Sequence, residues 1–162
     1  MRVGIGLGSN LGTRTEELAA GRCWLRSLDP GARFSGVYET AAVDCPPGSP
    51  TFLNQAAEIS WSGSLTGLLD LLQGYERARG RKAVRGRNQP RALDLDLLYA
   101  DKHTIRTSRL RLPHPRMGQR SFVLEPLAEI CPERRLPGLP GTVKEMAVRL
   151  RSGGGESCRR IG

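Results

Sequence analysis

This 162-residue sequence predicts an α+β fold, an antiparallel sheet with helices packed on it. Three observations carry the prediction. Several short segments alternate apolar with small or polar residues, which is the period of a strand. Two leucine-rich segments between them recur at helical spacing. Proline and glycine gather between these periodic segments.

Val3, Ile5 and Leu7 alternate with glycines, a first strand that packs closely against something. Thr13 followed by Glu16 matches a capping box. Leu18, Leu25 and Leu28 continue as a helical stripe, which Pro30-Gly31 stops. Phe34 to Thr40 is β-rich and reads as the second strand. Asp44 to Thr51 holds three prolines and a glycine, the composition of a loop. In a third strand, Phe52 to Trp61, Leu53, Ala57, Ile59 and Trp61 share one face; Phe52, Asn54 and Ala56 share the other. Leu65, Leu68, Leu69 and Leu72 have the spacing of a buried helical stripe. Arg77 to Arg91 lacks any apolar pattern and reads as a basic loop, and Ala92 to Tyr99 is the fourth strand. Asp101 to Leu112 suits a hairpin, and Ser121 to Ile130 and Thr142 to Leu150 suit short helices. With right-handed crossovers, the order βαββαβ gives a ferredoxin-like antiparallel sheet with helices on one face. The other face is left for the added C-terminal hairpin and helices and for a site. Residues 1–151 are expected to form one domain and residues 152–162 a flexible tail.

Charge narrows the function. There are 25 basic and 16 acidic residues, a formal net charge of +9, so an anionic partner is favoured. Only Lys82, Lys102 and Lys144 are lysines; the other 22 basic residues are arginines, whose fork matches phosphate oxygens. Cys23, Cys45, Cys131 and Cys158 are scattered, with no paired spacing for zinc or a dense disulfide scaffold. The glycine-rich start is not a signal peptide, and no apolar run approaches the ~20 residues that span a bilayer. A cytoplasmic protein with no membrane partner is expected. Neither G-x-G-x-x-G nor a Walker-type phosphate loop is present.

The chemistry concentrates in Arg91-Ala92-Leu93-Asp94-Leu95-Asp96-Leu97-Leu98. On a strand, Leu93, Leu95 and Leu97 face a core while Asp94 and Asp96 project together from the other face. Their backbones lie about 6.6 Å apart, close enough to share hard cations such as Mg²⁺. Alone, such a pair is the outer face of an amphipathic strand. Beside it, however, runs a segment with Arg77, Arg79, Arg81, Lys82, Arg85, Arg87 and Arg91. Metal on some oxygens and guanidinium on others is the arrangement phosphoryl transfer wants. His114, between Pro113 and Pro115, is aimed in a fixed direction and can donate to a phosphate. Phe52 and Asn54 on one strand face suit a flat heterocycle, the ring by stacking and the amide by pairing. The competing reading of the charge is a basic nucleic-acid-binding module on the same fold. That reading wants aromatics interleaved with cations on the sheet face, where this chain puts two carboxylates.

Six blocks occur in order: Gly6-Leu7-Gly8-Ser9-Asn10-Leu11-Gly12, Tyr38-Glu39-Thr40, Phe52-Leu53-Asn54, Gly80-Arg81, Arg87 to Leu98, and Leu112-Pro113-His114-Pro115-Arg116-Met117 with Arg120-Ser121-Phe122. Together they resemble the 6-hydroxymethyl-7,8-dihydropterin pyrophosphokinase family over roughly residues 2 to 150. The resemblance implies an ATP-dependent enzyme that moves diphosphate to the pterin hydroxymethyl group and releases AMP. It implies that Asp94 and Asp96 hold two Mg²⁺ ions, and that Thr40, Phe52, Asn54 and Phe122 take the pterin. It places Gln73, Glu76, Arg81, Arg87, Arg91, Arg109, His114 and Arg120 around ATP. Arg81 and Arg91, with the two aspartates, are then the catalytic set. A monomer with small-molecule substrates and no nucleic acid is implied. The chain departs from one common form of the pattern at Asn88-Gln89, at Ala83 and at Ala41-Ala42 with Asp44.

Overall fold

The computed structural model describes residues 1–41, 47–80 and 92–162. Its strands are β1 (Arg2–Ser9), β2 (Arg33–Phe34), β3 (Tyr38–Thr40), β4 (Phe52–Ser60), β5 (Asp94–Ala100), β6 (Ile105–Arg106), β7 (Arg111–Leu112) and β8 (Cys158–Arg160). Its helices are α1 (Arg14–Leu28), α2 (Leu65–Ala78), α3 (Ser121–Ile130) and α4 (Val143–Ser152). The main sheet runs β5-β1-β4-β3-β8, with β2 also on β4, and every pairing is antiparallel. Strands β6 and β7 form a separate antiparallel hairpin.

Alternation in the strands sorts side chains onto two faces, and each face carries its own core. On one, Val3, Ile5, Leu7, Leu93, Leu95 and Leu97 pack with the α1 and α2 stripe of Leu18, Leu25, Leu68 and Leu72. Each fully buried leucine there stabilises the fold by roughly 1.5–3 kcal/mol. On the other, Leu98 and Tyr99 pack with Met117, Leu124, Leu127, Val143 and Met146, which brings in α3 and α4. The sheet is therefore covered by helices on both faces, and the second covering stops short of Gly6 and Gly8.

A bulge in β5 shapes the second face. Opposite β1, Gly4 pairs with Tyr99 and Ile5 with Leu97, so Leu98 is an extra residue between them. Leu98 and Tyr99 consequently both face α3. Gly4 must be bare, because a Cβ there would lie only 2.2 Å from the Tyr99 ring.

Four local expectations are corrected. The Phe34–Thr40 strand is two pieces, β2 and β3, separated where the Ser35 hydroxyl takes the Ala56 amide and Gly36 donates to Glu129 of α3. The basic loop expected from Arg77 begins later, since α2 continues to Ala78. Thr13 caps α1 only by position, with no side-chain hydrogen bond; the true capping box is Thr142 with Glu145, at the start of α4. Finally, the sequence reads 152–162 as a loose tail, whereas Ser152 closes α4 and Cys158–Arg160 form β8 on the outer edge of β3. Arg159 meets Glu39 and Arg160 meets Glu129 there, contacts too distant in sequence to be read from a polar segment.

Candidate active site

The site is built on the bare stretch of β1. Gly8 stands opposite Asn54 on one side and Asp94 on the other; Gly6 stands opposite Ala56 and Asp96. With no side chains at Gly6 and Gly8 on this face of the middle strand, a cleft opens between them. Phe52, Asn54, Asp94, Asp96 and Phe122 line it, over Gly6 and Gly8. A Cβ at Gly8 would sit 3.2 Å from Asn54 Oδ1, so that oxygen already leans over the glycine. Asn54 Nδ2 donates to Thr40 Oγ1 at 2.9 Å, and both residues are buried. This bond turns the amide so that its carbonyl oxygen faces the cleft. Phe122 comes from the first turn of α3, with the Arg120 guanidinium 5.4 Å from its ring centre.

A second cleft of about 300 Å³ wraps the β5 edge and is lined by Gln73, Glu76, Asp96, Arg109 and His114 among others. Gln73 and Glu76 are one turn apart on α2, as i, i+3 spacing requires. Asp96 lines both clefts because β5 ends the main sheet. Glu76 is fully buried and accepts the Leu95 amide at 2.6 Å, so one of its oxygens fixes the backbone between the two aspartates. Arg109 is ion-paired with Asp70 of α2, both well exposed.

His114 follows the cis Leu112–Pro113 bond, and its amide donates to the Leu98 carbonyl at 2.7 Å. Its Nδ1 accepts the Arg116 amide at 3.2 Å, which leaves the proton on Nε2. Burial lowers its pKa, Arg120 and Arg116 lower it further, and Asp94 opposes them. The imidazole is thus held neutral with an N–H to give.

Thr40, Phe52, Asn54, Phe122, Asp94 and Asp96 come together around the first cleft, and Gln73, Glu76, Arg109 and His114 around the second. Arg120 belongs instead with Phe122, within electrostatic reach of His114. Arg81, Arg87 and Arg91 lie outside the described residues, as do Ala83, Asn88-Gln89 and Asp44. Reading residues by chemistry passes over Gly6 and Gly8, whose signal is the period-two glycine in β1. Among the described residues no three His, Cys, Asp or Glu side chains gather as a metal cage. Two half-buried carboxylates on one open face still fit Mg²⁺, which takes one or two and fills its shell with water and phosphate. Among the described residues, no helix is long and apolar enough to cross a membrane.

Comparison with known proteins relates the chain as a whole to one family. A family model described as 7,8-dihydro-6-hydroxymethylpterin-pyrophosphokinase matches residues 4–132. A Bacillus subtilis protein named 2-amino-4-hydroxy-6-hydroxymethyldihydropteridine pyrophosphokinase is 40% identical over 149 residues, 90% of this chain and 87% of its own length. A Pseudomonas aeruginosa protein of the same name is 38% identical, covering 84% of each chain. In structure, a protein described as HPPK-DHPS in complex with substrates superposes with a TM-score of 0.68 at 11% identity. That match covers 94% of this chain and 43% of the longer one, and it bears on the fold alone.

Proposed function

The chain belongs to the 7,8-dihydro-6-hydroxymethylpterin pyrophosphokinase family, and from that membership we propose that it transfers diphosphate from ATP to 6-hydroxymethyl-7,8-dihydropterin in folate biosynthesis. The family makes it an ATP-dependent diphosphotransferase. The observation that carries the site assignment is Asp96, which lines both clefts. A donor in one cleft and an acceptor in the other would meet at this carboxylate.

In this reading the pterin lies between Phe52 and Phe122. Asn54 Oδ1 accepts from its N–H edge, and Thr40 holds that amide in place. ATP lies along Gln73, Glu76, Arg109 and His114, with Arg120 near the junction. The pterin hydroxymethyl oxygen attacks the β-phosphorus. The bond from that phosphorus to the oxygen bridging to the α-phosphate breaks, and AMP departs with the electron pair. Mg²⁺ held by Asp94 and Asp96 would neutralise phosphate oxygens and lower the pKa of the attacking alcohol, which then gives its proton to water. The Nε2–H of His114 donates to a phosphate oxygen and so stabilises charge as it develops. Arg81, Arg87 and Arg91 are proposed as further phosphate contacts, with Arg81 and Arg91 acting in the transition state. The reading extends to a ferredoxin-like sheet, on the strand order β5-β1-β4-β3, and to a cytoplasmic monomer with no nucleic-acid partner.

The test is AMP formation. AMP should appear only when ATP, Mg²⁺ and 6-hydroxymethyl-7,8-dihydropterin are all present, in step with pterin diphosphate. AMP formed equally well without the pterin would overturn the proposal.

A further inference from the structure

Residues Gly153–Gly162 lie beyond the family match, which ends at residue 132, yet they pack behind the first cleft, on the strand that carries Thr40. Strand β3 is three residues long, and such a strand holds its place only through its neighbours. Its inner edge lies on β4, where Thr40 pairs with Phe52 and Tyr38 with Asn54. Its outer edge is closed by β8: Thr40 opposite Cys158, Glu39 opposite Arg159, Tyr38 opposite Arg160. Beyond β8, Ile161 donates to the Val37 carbonyl at 2.8 Å, and Val37 donates to that of Gly162 at 2.9 Å.

This seat is specific. A Cβ on Gly36 would collide with the Arg160 side chain and the Gly162 carbonyl oxygen. One oxygen of Glu129, on α3, takes the Gly36 amide at 2.6 Å, and the other takes Arg160 Nε at 3.0 Å. On the way from α4 the segment crosses the start of α3. A Cβ on Gly155 would be 2.9 Å from the Leu150 carbonyl oxygen and 3.4 Å from Ser121 Oγ. Ser121 directly precedes Phe122. One short segment therefore backs both elements that hold the first cleft, β3 with Thr40 and α3 with Phe122. Among the described residues, β8 packs on β3 and α3, whereas the second cleft lies at α2 and the β5 edge.

We propose that Gly153–Gly162 are a positioning strap for the pterin pocket, setting the gap between the Thr40–Asn54 wall and Phe122. The proposal rests on reading that cleft as the pterin site. Its signature is selectivity. Loss of the strap lowers the fraction of molecules with a correctly spaced pterin cleft and leaves the ATP cleft alone.

Two variants test it. One lacks residues 153–162; the other is Gly36→Val, which evicts the strap from its seat without touching a cleft residue. Calorimetry measures pterin and MgATP affinity separately, and kinetics give KM for each substrate. In both variants pterin affinity should fall about tenfold and pterin KM should rise, as expected when a competent state becomes a minor one. MgATP affinity should stay within about twofold, since its cleft gains and loses no contact. Should the truncated chain fail to fold, Gly36→Val decides. Unchanged pterin affinity, or an equal loss for both ligands, overturns the strap. Failure of the underlying reading shows differently: the intact chain would then bind pterin no better than its Asn54→Ala variant.

Discussion

Asp94 and Asp96 stand opposite glycines, and the alternating Leu93, Leu95 and Leu97 do the packing. Replacing either with Asn should therefore leave the melting temperature near that of the parent. Turnover should fall by at least ~100-fold if they hold the charge-neutralising metal. Steady-state rates with thermal melts check both halves. Asn54→Ala should weaken pterin binding by about 1–3 kcal/mol, because the ligand's donor edge is then stranded in a dry cleft. Calorimetry should show ATP binding hardly changed. His114 gives a prediction in pH. Its folded pKa lies below the usual 6.5, burial being the main cause and Arg120 and Arg116 adding to it. On acidification the unfolded chain takes up the proton first, so stability falls as pH drops from 6.5 toward the folded value. A polyphosphate at Nε2 reverses the preference. Adding MgATP should move the His114 titration midpoint upward by NMR, and a midpoint that stays put would remove it from the phosphates. The shared face of Asp94 and Asp96 and that of Phe52 and Asn54 are legible in the sequence through alternation, and the flanking prolines single out His114. The glycine floor is legible only as a close-packed strand and not as part of a site, since a missing side chain announces no chemistry.

At the scale of elements, helices and strands with strong periodicity are legible: the α2 leucine stripe, the β5 alternation and the bounds of α3 all lie where the residues say. Caps are less so. Thr13 and Thr142 both precede a glutamate at the right spacing, but only Thr142 makes the reciprocal bonds with Glu145. Thr142→Ala should cost about 1 kcal/mol of stability by urea denaturation, and Thr13→Ala only a fraction of that. The reason lies in tertiary structure. Arg14, next to Thr13, reaches across to the Thr51 carbonyl and hydroxyl, and that tie sets the entry of α1. The break between β2 and β3 has the same origin. Ser35 and Ala56 bond across 21 positions of sequence, beyond what a local pattern records.

At the scale of the whole molecule, the end of the sheet remote from the site carries its own polar anchor. Glu58 on β4 is fully buried. It accepts from Tyr99 of β5, from Arg33 at 2.6 Å and from Arg134, so three distant segments meet on one carboxylate. Burial opposes its ionisation, but the hydrogen bonds from Tyr99 and Arg33 and the charge of Arg134 prevail and hold its pKa below 4.5. Its contribution is then present above that value and lost as pH falls through the folded pKa. Glu58→Ala should cost about 3–5 kcal/mol, because it strands the largely buried Arg134 and the buried Tyr99 phenol, while the half-exposed Arg33 can turn to solvent. Glu58→Gln should flatten the fall of melting temperature below pH 4.5, which calorimetric scans would show. None of this is legible in the sequence, where Glu58 reads as one polar residue in an alternating strand. The extra residue in β5 has a consequence for how such chains diverge. Deleting Leu98 would bring Leu97 and Tyr99 into unbroken register with Ile5 and Gly4. A length change at this point leaves the carboxylates and the buried phenol in step with β1. What disappears is the leucine over Gly6 and the carbonyl that tethers the His114 amide. A descendant that is one residue shorter here would inherit the aspartate pair in register, would have to refill the second core where Leu98 packed, and would have to evolve a new tether for its histidine.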